Sequence, residues 1–547
     1  MHESRVDISV AGRTGIHLMA GSRGTASVVS ANAIAAQADA GNFLPGEPAN
    51  VWSDLALPVL RRTFSFYTIL VAVLIAGIHV FCLNRNILSD PDIWWHLRNA
   101  RYLISTHTFL RQDLYTSTIY GKPWLNPEWL AELPYYAAWR LAGFRGIYLL
   151  TVGMIEVLAL GVCALSWQRV HNIKAAILAP CVFIFMASVS TAPRTQLFGW
   201  CCLIAELFVL EKYRRGKNHL WLLPIVFAVW INLHGSWPIG ILFLAIYTCC
   251  GLKGFEWGSL GTTAWTASQR TRLLSVFALS VTALFVNPYG WRLVVYPFRI
   301  AFAHKLTIST VVEWQTLDFH SFRGKFVFTT LAALMLFGMA RKRKWDLVDL
   351  LPLLIATLAA FTYSRFLLLE AIVLPPLLAR ELTLFSPYKP ELDRPWLNFG
   401  VVVMMAIFIG THVPSELTLQ QQADDGYPAR AVEYLQTHPL PGRLLNDFNW
   451  GGYLIWNLPQ TPVFIDTRAD AFEERGIYAE YLDAILVKRP LEILDKYRIQ
   501  SVLMPKADPL SYLLMHSSGW IVRYQDETAV IMQRSAPLSA VNVHSAD

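Results

Sequence analysis

FYTILVAVLIAGIHVFCLNRNILSDPDIWWHL, residues 66–97, holds the change of character on which the fold turns. From Phe66 to about residue 84 the chain carries no acid, and its first Lys or Arg is Arg85. An uncharged apolar run of ~20 residues is what a helix needs to cross a bilayer. Asp90 and Asp92 then flank Pro91, which keeps a helix from continuing unbroken out of the membrane, and Trp94 and Trp95 return the chain to the interface. The 547 residues as a whole are 54% hydrophobic and only 16% charged, and further apolar runs follow the first. A soluble chain carries roughly 25% charged residues. The seven cysteines all lie in apolar runs and form neither a disulfide framework nor a CxxC knuckle. The net charge of +7 is not gathered on one soluble face, which excludes nucleic-acid binding. Secreted mini-proteins and coiled coils are excluded as well. The 20 Trp and 21 Tyr suit interfacial belts and polar cavities.

The expected fold is mainly α, a polytopic membrane protein of about 11 transmembrane helices with a C-terminal α/β domain. The apolar runs fall near 66–84, 146–167, 174–190, 196–211, 219–234, 237–252, 273–288, 325–340, 347–363, 366–380 and 397–413. Several are short, and two of them would suit re-entrant loops. If every run spans, Arg61 and Arg62, Arg169 and Lys174, Lys212 to Lys217, Lys253 to Arg272, Arg341 to Lys344, and Arg380 to Arg394 share one side. Lys and Arg mark that side as cytoplasmic. The N-terminus is then inside and the C-terminal domain outside, in an inner or plasma membrane. Residues 1–60 read as a disordered cytoplasmic tail without a signal peptide, 61–413 as the membrane domain with a first outer loop at 85–145, and 414–547 as the extracytoplasmic domain. Strands are expected at RLLN (443–446), PVFID (462–466), SVLMP (501–505), WIVRY (520–524) and AVIM (529–532).

Paired acids at a membrane surface remove a proton from a hydroxyl or ligate a divalent cation through oxygens, so Asp90 and Asp92 are the candidate catalytic and metal residues. Capping of the following helix is the plainer alternative. His96 lies one helical turn beyond Asp92 and extends the site. In GKPWLNPEWLAELPYY (121–136), a helix from about Pro127 sets Glu128 and Glu132 on one face, where like charges raise one pKa. Asn126 lies beside them. Arg194, Asn232, His234, Asn287, Glu313 and Arg365 map to the outer ends of spans or to outer loops, the side that carries the two aspartates. Such convergence points to an outward-facing polar cavity, because charge at membrane depth is costly. Arginine there holds phosphate through charge-assisted hydrogen bonds, and a polyprenyl-phosphate sugar presents such a phosphate at headgroup level.

The acidic loop DPDIWWHL after span one, the number of spans and the outer α/β domain together resemble the GT-C superfamily of lipid-carrier-dependent glycosyltransferases. That family includes oligosaccharyltransferase catalytic subunits and bacterial mannosyl- and aminoarabinosyltransferases. NDFNWGGYLIWNLP (446–459) resembles a distant WWDYG-type motif but lacks its central Asp, so sequon recognition is not implied. The resemblance implies that Asp90 or Asp92 is the first-loop carboxylate that activates the acceptor, with Glu128 or Glu313 as a second acid. It implies a polyprenyl-phosphate-linked sugar as donor and an extracytoplasmic glycan, lipid or protein as acceptor, in contact with membrane lipids. Asp466, Arg468 and Asp470 end the PVFIDTRAD strand and are expected to face the cavity, the first two as substrate or lipid-phosphate ligands. A divalent cation, Mg or Mn, serves some members and not others. The rival readings are a transporter or flippase and a silent lipid-linked-glycan binder.

Overall fold

The computed structural model describes residues 59, 61, 63–188, 191–382 and 385–535; the expected N-terminal tail lies outside them, apart from Val59. All eleven apolar runs coincide with helices. These are α1 (Phe66–Leu83), the second half of α3 (Trp129–Val170), α4 (Leu178–Ala187), α5 (Gln196–Arg214), α6 (Leu222–Leu233), α7 (Trp237–Cys250), α8 (Ala267–Ala283), α9 (Phe322–Ala340), α10 (Leu347–Thr362), α11 (Leu367–Glu381) and α12 (Pro395–Thr411). Helix α2 (Asp92–Thr106), in the segment expected to be the first outer loop, precedes α3. The count of about 11 spans is not carried by length and hydropathy. Among the described residues only α1, α3 and α9 are long and apolar enough to cross a membrane, and α12 with α13 (Glu416–Asp424), bent by 57°, makes a fourth. At ~1.5 Å per residue, the 12 residues of α6 reach only about 18 Å. The helices nonetheless present Val73, Leu149, Ile225, Leu279, Leu336 and Ile407 on their surface, an apolar face suited to lipid.

The 42 residues of α3 are two helices, since Ala142 and Gly143 leave helical geometry and Gly143 adopts φ +57°. The second helix starts at Phe144, whose amide donates to Glu416 Oε1 at 2.8 Å while Arg145 N donates to Oε2 at 2.9 Å. A carboxylate there satisfies the free N–H groups and meets the positive end of the helix dipole. A Cβ on residue 143 would come within 2.2 Å of Glu416 Oε1. Gly143→Ala is therefore expected to lose about 1–3 kcal/mol, through a positive φ and displacement of the cap, read as a lower melting temperature in detergent.

At the other end of these helices Arg169 and Arg214 each lie 2.9 Å from Asp349 Oδ1, and Arg380 lies 3.4 Å from Oδ2. Arg169, Arg214 and Arg380, three of the basic residues that the charge pattern assigns to one side, thus meet around one carboxylate on α10. A small sheet that the sequence did not announce sits there too: β1 (Phe255–Trp257), β2 (Leu260–Thr262) and β3 (Trp345–Asp346).

The C-terminal part builds a sheet in the order β4-β5-β7-β6 from β4 (Arg443–Asn446), β5 (Ile499–Pro505), β6 (Trp520–Gln525) and β7 (Ala529–Arg534). β4 runs parallel to β5 and the other pairs are antiparallel. The segment PVFID is not one of its strands. Val463 N donates to Tyr115 O and Ser117 N to Val463 O, so its backbone pairs with the first outer loop. Its other side is held by Asn446, whose Oδ1 accepts from Phe464 N at 2.7 Å and whose Nδ2 donates to Ile465 O at 2.9 Å. PVFID is thus a strap between the domain and the loop.

Candidate active site

Asp90 and Asp92 leave the end of α1 and enter α2 with different environments. Asp90 is 2% exposed; its Oδ1 accepts the Asp92 amide at 2.9 Å and its Oδ2 is taken by Arg194 Nε. Arg194, just ahead of α5, reaches Glu313 with its Nη1. Burial works against the Arg194 charge, but Asp90, Glu313 and Asp92 hold its pKa above the ordinary value. Burial pushes Asp90 up, against the pull of Arg194. Asp92 is half-buried. Its Oδ1 accepts from Trp95 Nε1 at 3.2 Å and from Thr467 Oγ1 at 2.5 Å, and its Oδ2 makes no hydrogen bond within the described residues. Of the two acids, Asp92 has the free oxygen.

Glu128 is the second centre. It caps α3 rather than lying within it, so the expected helical face of Glu128 and Glu132 is replaced by a split arrangement. Glu132, 1% exposed, accepts from Asn126 Nδ2 at 2.6 Å and Asn99 Nδ2 at 3.0 Å, and faces His96 Nδ1 at 2.9 Å. Glu128 accepts from Thr195 Oγ1 at 2.7 Å and faces His96 Nε2 at 3.6 Å and His234 Nε2 at 3.5 Å. Burial lowers His96, but Glu132, Glu128 and Asp92 together lift it above its usual value, and its ring lies between Glu132 and Glu128. His234 is the opposite case: burial, with Arg365, His96 and Arg194 nearby, lowers it to about 3. Its Nδ1 accepts the Ser236 amide at 3.1 Å, which assigns the proton to Nε2, facing Glu128. Burial raises Glu128, opposed by His96 and Thr195. Trp129 Nε1 donates to Asn232 Oδ1 at 2.9 Å and fixes the start of α3 against the end of α6.

Arg365, in the turn between α10 and α11, stacks 4.1 Å over the Trp314 ring. It makes no hydrogen bond or ion pair within the described residues, although Glu313, Arg194, Glu128 and Asp92 are all close enough to act on its charge. Eight residues picked from the sequence, Asp90, Asp92, His96, Glu128, Arg194, His234, Glu313 and Arg365, are thus linked by direct contacts or by their action on one another's charge. Asp466 and Arg468 do not join them. Arg468 is buried, bonds Asp466 Oδ1 at 2.8 Å and Oδ2 at 2.6 Å, reaches Asp113 Oδ2 at 2.7 Å, and lies 4.6 Å over the Trp124 ring. The expectation that this pair binds substrate gives way to a closed clamp between domain and loop, with the arginine's charge already matched. Asp470 lies apart too, accepting from Tyr296 OH at 2.8 Å. Thr467, between the two clamp residues, is the one that touches Asp92, and sequence pattern gave no sign of it.

The donor set does not suit a dedicated divalent cation. Among the described residues no three His, Cys, Asp or Glu side chains gather around one point. Both Asp90 oxygens are engaged, which leaves Asp92 Oδ2 alone of the two expected ligands. His234 Nδ1, as an acceptor, ties up the tautomer that would free Nε2 for a metal.

No protein-family model matches the chain, and no curated protein matches it in sequence. Solved structures resemble it. The Archaeoglobus fulgidus oligosaccharyltransferase tethered to an acceptor peptide with the NVT sequon is 12% identical with a TM-score of 0.50, over 87% of this chain and 75% of that one. The oligosaccharyltransferase AglB from the same organism, in complex with an inhibitory peptide and a dolichol-phosphate, gives 0.49 at 11% identity over 80% and 69%. ArnT from Cupriavidus metallidurans bound to undecaprenyl phosphate gives 0.46 at 14% identity over 84% and 97%. The GT-C resemblance read from the sequence therefore holds at the level of the fold, which this chain shares with the archaeal oligosaccharyltransferase.

Proposed function

We propose that the chain is a membrane glycosyltransferase that moves a sugar from a polyprenyl-phosphate-linked donor to an extracytoplasmic glycan, lipid or protein, with inversion at the anomeric carbon. One observation carries this reading: Asp92 keeps a free Oδ2, and Arg365, with no hydrogen bond or ion pair among the described residues, lies close enough for Asp92 to act on its charge. The acceptor hydroxyl gives its proton to Asp92 as its oxygen bonds the anomeric carbon. The bond from that carbon to the phosphate oxygen breaks on the opposite face, and polyprenyl phosphate leaves with the electron pair. The transition state resembles an oxocarbenium ion. Asp90, Asp92, Glu128, Glu132 and Glu313 outnumber Arg194, Arg365 and His96, and this excess of acids favours positive charge on the sugar ring. Arg365 receives the negative charge of the leaving phosphate. An apolar groove of about 640 Å³ between α6 and the segment after α8, lined in part by Ile225, Val229 and Trp129, the residue next to Glu128, is a seat for an isoprenoid tail.

The test is release of labelled sugar from polyprenyl-phosphate donors by the purified protein. Donor consumption in the wild type that disappears in Asp92→Asn supports the reading. Consumption retained in Asp92→Asn overturns the assignment of Asp92 as the base, and none from any donor by protein that binds the lipid overturns the enzyme in favour of a binder or transporter. Within the same assay Arg365→Ala is expected to raise the donor KM by about 10- to 100-fold, the loss of one charge-assisted contact to phosphate.

A further inference from the structure

We propose that Thr467, supplied by the C-terminal domain, is a positioning residue that holds the carboxylate of Asp92 with its second oxygen turned to the acceptor. This inference rests on the reading of Asp92 as the base.

The hydroxyl of Thr467 lies between two groups that determine the direction of its proton. It accepts from Trp95 Nε1 at 3.1 Å, and an indole N–H is only a donor. Its own hydrogen therefore goes to Asp92 Oδ1, at 2.5 Å. Trp95 Nε1 also approaches that same Oδ1 at 3.2 Å, so one oxygen of Asp92 is held by two donors and the other by none. A carboxylate pinned through one oxygen cannot rotate its free edge away from a substrate, and precise orientation of a reacting group is worth a large part of a catalytic barrier.

The surroundings of Thr467 are built to keep it there. The residues on either side of it are the clamp: Arg468 N donates to Asp466 Oδ1 at 3.0 Å, and the Arg468 guanidinium joins Asp466 to Asp113 of the first outer loop. Four residues earlier Val463 pairs with that same loop. On the other flank, Gly451 and Gly452 of the NWGGY stretch let the domain lie directly on the start of α2. A Cβ at 452 would stand 2.7 Å from Pro91 O, and one at 451 would stand 2.2 Å from Ile465 O. Pro91 separates the two aspartates. Bare backbone at two positions thus brings the 463–468 strap and the DPD turn into register, and the residue that meets the turn is a hydroxyl donor. The likeness of NWGGY to a recognition motif is then accounted for by packing against the acidic loop.

The experiment compares wild type, Thr467→Val, Thr467→Ser and Asp92→Asn for transfer from a polyprenyl-phosphate-sugar donor. Valine keeps the shape and removes the donor, whereas serine keeps the donor. Thr467→Val is expected to lower kcat about 10- to 100-fold with donor KM within about twofold of wild type, because orientation of the base matters only as the proton moves. Thr467→Ser is expected to restore most of the rate. A Thr467→Val enzyme with wild-type kcat, beside an Asp92→Asn enzyme that is dead, overturns the positioning role and leaves the base assignment intact. Turnover retained by Asp92→Asn overturns the base assignment itself. Thermal melts of the two single variants and Asp92→Asn/Thr467→Val form a cycle that needs no substrate. Non-additive shifts support the contact, and additive ones overturn the proposal even if no donor is turned over.

Discussion

Asp92→Asn is expected to lose turnover by about 10²- to 10⁴-fold, the range that a general base supplies, while the protein stays folded and still binds donor. The carboxamide keeps an oxygen for Thr467 and Trp95, so the network on Oδ1 survives, and only the basic Oδ2 is exchanged for an amide nitrogen. Asp90→Asn is expected to behave differently. It removes the buried charge that Arg194 pairs with, so its first effect is on stability and on the placement of Arg194 and Glu313. Single-turnover sugar transfer read beside melting temperature separates the two. Loss of rate without loss of stability in Asp90→Asn, together with retained rate in Asp92→Asn, would exchange their roles.

The largest stability effect is expected at Arg468. Replacing it with Met leaves Asp113 and Asp466, both 0% exposed, as buried carboxylates without a counter-charge, at a cost of about 3–5 kcal/mol. The domain would lose its hold on the first outer loop, so limited proteolysis should release the C-terminal fragment at lower denaturant concentrations than in wild type. Arg468→Lys is expected to rescue little, since a point charge cannot reproduce a planar fork that serves two carboxylates and stacks on Trp124. A melting temperature unchanged in Arg468→Met would show that the clamp contributes nothing to docking.

Where these contacts run along the chain explains how much of them could be read from it. β4, β5, β6 and β7 lie where short apolar runs predicted strands, because each strand's pattern answers to its neighbours in one sheet. PVFID carries the same pattern, yet its partner is Ser117, 346 residues away, and periodicity does not tell a sheet strand from a strap. The site residues were legible because a charged or polar group at the end of an apolar run stands out against its surroundings. Asp466 and Arg468 stood out for the same reason and were misplaced, since the strength of a charge says nothing about whether its partner is a ligand or Asp113. Thr467 has no such contrast: a threonine beside a charged pair is ordinary, and only its distance to Asp92 gives it meaning. Short helices such as α6 carry apolar runs that read as spans, while their length in the bundle is set by what packs around them.

The cap at Phe144 has a consequence for how the protein is made. The amides at 144 and 145 wait for a carboxylate that lies 272 residues further along the chain. A ribosome adds residues at about 5–20 per second, so for tens of seconds the second long helix stands in the bilayer with its first turn uncapped. Its upper end reaches final form only when residues up to 416 have emerged, making the bend after the last apolar helix a late fastener in biogenesis. Chains halted before Glu416 should accumulate as inserted but protease-sensitive intermediates, open at residues 142–143.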